Sequence, residues 1–382
     1  MQNTQSGLRK KVVFVGEVNS GKSSLINAII GENVSIVSEV KGTTTDSLSR
    51  AFELLGYGAV TMCDTAGFGD DTELGEKRQK VSLDVLKTAD LAILVTQSTD
   101  LTSTDFETLN KIKSLNKQYI IVHNKSDVNN YQNTNKLCVS AKTEQGLEEL
   151  KSQIIEKLKQ SSQKRILDGI VNAGDSVLLV MPQDSSAPEG RLILPQVQVI
   201  RECIDRHVIV TCVALEELAV ALKKANYDLV ITDTQVIKQV LETVSDSQKV
   251  STFSVLFGKA KGDIEVFLKG VERIDTLREN DTVLIAEACV HTTNQDDIAK
   301  FMIPRIMQQY TGKKLNFEFI SGKKILDNVK GAKLIVQCGG CMLTPEEMQQ
   351  RIISANDFDV PITNYGLTIT KCQAKDINRL TF

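Results

Sequence analysis

Gly16-Glu17-Val18-Asn19-Ser20-Gly21-Lys22-Ser23 is the stretch from which the rest of the chain can be read. An apolar run at 12–15 precedes it and a helix-like stretch at 24–30 follows it. That is the strand–GxxxxGK(S/T)–helix order of a phosphate-binding loop. Glycines let the backbone curl until successive N–H groups converge on phosphate oxygens, and the helix N-terminus adds a partial positive charge. Gly16, Asn19, Ser20, Gly21 and Ser24 would line such a site. Lys22 can reach the β- and γ-phosphates, and the Ser23 hydroxyl can hold Mg²⁺.

Working outward, four more boxes follow in order. Lys41-Gly42-Thr43-Thr44-Thr45-Asp46 offers Thr44, whose hydroxyl can hold Mg²⁺ and whose N–H can meet the γ-phosphate. An apolar run at 59–63 ends in Asp64-Thr65-Ala66-Gly67. There Asp64 can hold Mg²⁺ through water and the Gly67 N–H can sense the γ-phosphate. A buried-strand pattern at 118–122 leads into His123-Asn124-Lys125-Ser126-Asp127. The Asp127 carboxylate can accept two hydrogen bonds from guanine that adenine cannot offer. Last, 137–139 leads into Ser140-Ala141-Lys142, whose backbone can contact the base oxygen. Lys22, Thr44 and Gly67 are the candidate catalytic positions, and the nucleotide is expected to be GTP.

These five boxes resemble the translation-factor class of GTPases over about residues 10–160. The fold expected there is a doubly wound α/β sheet with its ligand at the strand C-termini. Asn19 together with Gly42-Thr43-Thr44-Thr45-Asp46 is similar to the Era/TrmE branch. That similarity implies a K⁺ held by Asn19 beside the phosphates in place of an arginine finger. Phe68 stands where a Ras-like enzyme carries its water-orienting glutamine, so slow intrinsic hydrolysis is expected.

Composition narrows the class. The 382 residues are 41% hydrophobic and 24% charged, ordinary for a globular chain with room for two or three domains. A net charge of −3 gives no bulk attraction to nucleic acid. Residues 1–11 are short and polar, and no apolar run approaches the ~18 residues that span a bilayer. A cytoplasmic protein is expected, without a membrane or nucleic-acid partner. Eight cysteines then read as thiols or metal ligands rather than a disulfide frame.

Beyond an amphipathic stretch at 147–165 the pattern changes. Apolar β-rich runs at 177–181, 208–213 and 229–232 alternate with helical stretches at 195–206 and 215–225, a small α/β module without visible chemistry. Further on, a strand pattern at 283–286 ends at Cys289-Val290-His291, and 332–336 ends at Gln337-Cys338-Gly339-Gly340-Cys341. A helix at 296–310 and a short β run at 316–320 lie between them. Parallel strands joined by a helical crossover would set both cysteine clusters at one sheet edge. Cys289, Cys338 and Cys341 could then supply three thiolates, the protein share of a 4Fe–4S cluster with one open iron. A structural zinc needs four ligands, with His291 the candidate fourth, and a redox dithiol needs only Cys338 and Cys341.

The order of GTPase, α/β module and C-x-H…C-x-x-C segment resembles the HydF family, the GTPases that mature iron-only (FeFe) hydrogenases. The family motif is C-x-H, a long spacer, then H-C-x-x-C. Cys289, His291, Cys338 and Cys341 match it, whereas Gln337 replaces the second histidine. The resemblance implies an α/β protein of three domains. These are a P-loop GTPase with a doubly wound sheet at 1–165, a small α/β dimerisation domain at 166–262, and an α/β iron–sulfur domain with parallel strands at 263–382. It further implies a homodimeric scaffold that carries a di-iron subcluster precursor, works with radical-SAM maturases and serves apo FeFe-hydrogenase. The first domain alone would also allow a ribosome- or RNA-associated GTPase with a zinc or dithiol module.

Overall fold

The computed structural model describes residues 6–31, 39–40, 49–67, 73–129, 135–160, 164–183, 190, 192–288, 297–322, 326, 329–374 and 376–382. The chain packs as two compact units, Met1–Ser162 and Gln163–Phe382.

The first unit runs β1 (Lys10–Val15), α1 (Lys22–Ile30), β2 (Glu39–Val40), β3 (Ser49–Leu54), β4 (Gly58–Asp64), α2 (Glu73–Lys87), β5 (Leu91–Thr96), α3 (Ser103–Ser114), β6 (Gln118–His123) and α4 (Leu147–Gln160). Its sheet has the order β2-β3-β4-β1-β5-β6. β4, β1, β5 and β6 are mutually parallel, and β2 and β3 add an antiparallel edge. Helices cover both faces of a parallel sheet, so its strands are apolar without alternation. Val12 to Val15 and Leu91 to Val95 are accordingly buried throughout. α4 presents Leu147, Leu150, Ile154 and Leu158 to this core, the helical spacing read from the sequence. β1 sits centrally, so the loop after it opens where strand C-termini converge.

The second unit continues with β7 (Ser176–Val180), α5 (Leu194–Asp205), β8 (Ile209–Val213), α6 (Leu218–Lys224), β9 (Leu229–Thr232), α7 (Ile237–Thr243), β10 (Val250–Thr252), α8 (Phe253–Lys261) and α9 (Ile264–Glu272). It ends with β11 (Thr282–Ala286), α10 (Ile303–Thr311), β12 (Asn316–Ile320), β13 (Ala332–Gln337), α11 (Pro345–Asp357), β14 (Ile362–Asn364) and α12 (Tyr365–Ala374). Two all-parallel sheets result, β10-β9-β7-β8 and β12-β11-β13-β14. One hydrophobic core takes residues from both, Leu178 and Val230 together with Ile285 and Val336.

Three features depart from the sequence reading. β10 and β14 carry buried Ser251, Thr252, Thr363 and Asn364, so three-residue strands with polar centres gave no apolar run to find. The β run at 316–320 forms β12, on the far side of β11 from β13. β11 and β13 are therefore parallel neighbours, but the chain reaches β13 through an intervening edge strand rather than by one crossover. The helix expected from 296 opens as a π-helical turn, Ile298–Met302, before α10.

Candidate functional site

In the first unit the loop after β1 places Gly16, Asn19 and Gly21 at φ of 143°, 63° and 91°. Such left-handed turns make a nest of backbone N–H groups. Asparagine is the side chain most tolerant of this conformation, so the backbone alone already favours Asn19. At Gly16 a Cβ would come within 2.2 Å of the Val95 carbonyl oxygen, which rules out any side chain there. Ser20 is buried, and its Oγ has no partner. Lys22 is also buried, and its ammonium folds back onto the Gly16 and Glu17 carbonyls at 3.2 and 2.7 Å. Burial lowers its pKa, and the Asp64 and Glu17 carboxylates oppose that shift.

Asp64 closes β4 opposite the loop. The Ser23 hydroxyl donates to its Oδ2, while its buried Oδ1 has no partner. A hydroxyl on one oxygen of a carboxylate whose other oxygen has no partner is a donor set suited to a hard, oxygen-seeking cation such as Mg²⁺. Gly67 approaches the phosphate loop so closely that a Cβ would lie 2.5 Å from the Val18 nitrogen. The Thr65 hydroxyl, bonded to the Phe14 carbonyl at 2.7 Å, pins this segment to β1. Thr44 and Phe68 lie outside the described residues.

The base end is built from two loops. Asn124 donates to the Ser20 carbonyl at 2.9 Å, and its Oδ1 accepts from the Ala141 N–H at 3.4 Å. It thereby ties the phosphate loop to Ser140-Ala141-Lys142. Ser140 Oγ donates to Asp127 Oδ1 at 2.8 Å and accepts from the Thr143 N–H at 3.1 Å, which orients the carboxylate. Lys125, at φ 62°, donates to Gln97 Oε1 at 2.6 Å, and Glu17 accepts from Thr102 at 2.5 Å. Gln97 and Thr102 had no motif to announce them. Ser24 and Lys142 are exposed beside these loops.

In the second unit β11 and β13 run side by side with Ala286 opposite Gln337. Cys338 and Cys341 follow β13, and their turn needs both glycines. Gly340 adopts φ 70°, and a Cβ on Gly339 would crowd Ser254 at 3.1 Å. Cys338 Sγ accepts from the Ala288 N–H at 3.2 Å, from Gln337 Nε2 at 3.2 Å and from the Gly340 N–H. Burial pushes the Cys338 thiol up, as does neighbouring Cys341; the Gly340 and Ala288 N–H groups and Arg351 act the other way. Cys289 and His291 lie outside the described residues, but Ala288 directly precedes Cys289. Among the described residues no group of three or more His, Cys, Asp or Glu side chains is placed to hold a metal.

Gln337, which stands where the family motif carries its second histidine, has a position of its own. It is buried, donates to Cys338 Sγ, and its Oε1 accepts from Arg351 Nη1 at 2.6 Å. Arg351 Nη2 also reaches the Glu287 carbonyl at 3.4 Å and that of Gly322. One buried guanidinium thus ties together the ends of β11, β12 and β13. No described cysteine forms a disulfide, in line with the thiols expected. No helix among the described residues is long and apolar enough to cross a membrane.

Three family models match the chain in succession. They are described as a 50S ribosome-binding GTPase over residues 11–125, a hydrogen maturase F dimerization domain over 166–262, and a hydrogen maturase F tetramerization domain over 265–380. The first stretch is similar to the tRNA modification GTPase MnmE of Clostridioides difficile (strain 630), 35% identical over 156 residues, 38% of this chain and 33% of the relative. It is also similar to the GTPase Der of Kosmotoga olearia, 34% identical over 140 residues, 35% of this chain and 31% of that protein. The chain thus spans about a third of the length of these curated relatives. Among solved structures, the G domain of the T. maritima FeoB iron transporter is 28% identical, with a TM-score of 0.31, over 39% of this chain and 98% of that one. Era bound to MgGDPNP and 16S ribosomal RNA is 20% identical, with a TM-score of 0.34, over 54% and 92%.

Proposed function

Because this chain belongs to the hydrogen maturase F family, with a GTPase domain ahead of that family's dimerization and tetramerization domains, we propose that it is a GTP-switched scaffold for FeFe-hydrogenase maturation. In this reading it binds a 4Fe–4S cluster through Cys289, Cys338 and Cys341 and carries a di-iron precursor. Radical-SAM maturases would supply that cargo, and apo-hydrogenase would receive it in the cytoplasm. The modules would be 1–165 for GTP, 166–262 for dimerisation and 263–382 for the cluster.

The observation that carries the cluster reading is Cys338 Sγ accepting the N–H of Ala288, the residue joined to Cys289. Consecutive Cα atoms are ~3.8 Å apart, which supports the reading that Cys289 and Cys338 share one sheet edge. When bound on three thiolates, a 4Fe–4S cluster leaves one iron open for a bridging ligand of a cargo. Gln337 is engaged with Cys338 and Arg351, which leaves His291 or an exogenous group as the fourth ligand.

An edge supports self-association. β8 borders its sheet with Ile209 and Cys212 exposed, and Val197 and Ile204 are exposed seven residues apart on α5. Unpaired edge strands beside apolar side chains favour pairing with a second copy.

In the GTPase, Lys22 and the Gly16–Gly21 nest would hold the β- and γ-phosphates, Ser23, Thr44 and Asp64 would hold Mg²⁺, and Asp127 would read guanine. When bound, Mg²⁺ and K⁺ neutralise charge on the transferring phosphoryl group. If Asn19 holds that K⁺, replacing K⁺ by Na⁺ at constant ionic strength slows hydrolysis by about tenfold or more, part of what an arginine finger provides. Equal rates in both salts would remove the role. The cluster reading is tested by anaerobic reconstitution with iron and sulfide. A brown protein with broad absorption near ~400 nm is expected, whereas a colourless zinc protein would overturn it.

A further inference from the structure

Lys261 closes α8, and its ammonium is buried. It donates to the carbonyl oxygens of Gly340, Cys341 and Leu343, at 3.1, 3.0 and 2.7 Å, from 79 to 82 residues away. An ammonium has three donors, and these three carbonyls are within its reach. The Phe257 ring, one turn earlier on α8, lies 5.2 Å from Nζ and gives the cation a second favourable face. The rest of α8 fixes that position. Thr252 caps its start, and Ser254, on its first turn, accepts from the Gly366 N–H and from Asn364 Nδ2.

We propose that Lys261 is the positioning residue of the Cys338–Cys341 turn: it gathers the turn's Gly340 and Cys341 carbonyls with that of Leu343 just beyond, and sets its ammonium behind an anionic metal–thiolate centre. Planar trans peptides oppose C=O and N–H. Carbonyls drawn to Lys261 therefore direct the next residues' N–H groups away from it. A neutral donor, or an apolar side chain closing the space, would hold a turn with less desolvation, since burying a charge is costly unless a counter-charge compensates. Three thiolates on a 4Fe–4S core in its 2+ state leave a net charge of about −1, and one added electron makes it −2. A nearby cation favours the reduced state. The helix that supplies the charge lies in the stretch matched by the dimerization model, and the turn lies in that matched by the tetramerization model.

The inference rests on the metal–thiolate reading above, and its test separates the two. Lys261→Gln, which keeps N–H donors without charge, Lys261→Met, and the charge-keeping Lys261→Arg are compared with the full-length wild type. Apo proteins are alkylated with iodoacetamide and followed by mass spectrometry at Cys338. Loss of the clamp in Lys261→Met is expected to raise that rate about tenfold through local opening. Reconstituted proteins are titrated with dithionite and followed by electron paramagnetic resonance. At the wild-type midpoint, the reduced-to-oxidised ratio in Lys261→Gln is expected to fall about tenfold, which for a one-electron couple is 59 mV. Lys261→Arg should stay close to wild type. Wild-type potential and wild-type alkylation in both Lys261→Gln and Lys261→Met would overturn the proposal. Should Lys261→Met fail to fold, Lys261→Gln against Lys261→Arg decides it. If the wild type itself takes up neither iron nor sulfide, the cluster reading fails, and the alkylation rates alone decide the clamp.

Discussion

Asp127→Asn is expected to weaken GTP binding by about three to four orders of magnitude and to make xanthosine triphosphate the preferred nucleotide. The Asp127 carboxylate, oriented by the Ser140 hydroxyl at 2.8 Å, is an acceptor matched to the two N–H donors on guanine's edge. An asparagine amide turns one acceptor into a donor. It then faces the guanine amino group donor to donor, and xanthine instead presents a carbonyl there. Charge-assisted hydrogen bonds contribute roughly 1.5–3 kcal/mol each, and an unpaired group in the site adds its own desolvation cost. Two such contacts give the magnitude stated. The fold should tolerate the change, because the Asn carbonyl can still accept from Ser140. Fluorescent-nucleotide titration measures both affinities, and an unchanged preference for GTP would remove Asp127 from the base site.

Cys338→Ser is expected to take bound iron and acid-labile sulfide in the reconstituted protein below about a tenth of wild type, with loss of the absorption near ~400 nm. A serine hydroxyl deprotonates far less readily than a thiol and is a harder ligand. It would still sit under the N–H groups of Ala288, Gln337 and Gly340, but without the thiolate they serve. Cys341→Ser and Cys289→Ser separate the readings left open by spacing. A three-thiolate cluster needs all three cysteines. A redox dithiol is indifferent to Cys289, and a zinc site falls with His291→Ala and never turns brown. Full iron and sulfide in Cys289→Ser would sink the cluster, while a matching loss in all three serine variants would support it.

The nucleotide half was legible because its information is local. Each box is a few consecutive residues, four of the five after an apolar run, and a doubly wound sheet brings strand ends together whatever the helices between them contain. Gly67 shows the limit of that. Its motif is plain, but the need for glycine comes from Val18, 2.5 Å from where a Cβ would stand. The cysteine half was legible as spacing only. Gln337, Cys338 and Cys341 are neighbours in the chain, whereas Arg351 and Lys261 became part of the site through contacts with no pattern of their own.

By itself, then, the order of residues gave the boxes of a GTPase domain, a candidate metal-binding hydroxyl and carboxylate, and the strands β11 and β13, the second followed by Cys338 and Cys341. Tertiary structure alone decided what stands beside those two cysteines: Lys261 on the carbonyls of Gly340, Cys341 and Leu343, and Arg351 across three strand ends. The physical reason is that a motif needs only a few bonds of chain to present its atoms. A buried cation is defined by which remote carbonyls converge on it, and only the packing of α8 and α11 beside the segment that ends and follows β13 brings them together.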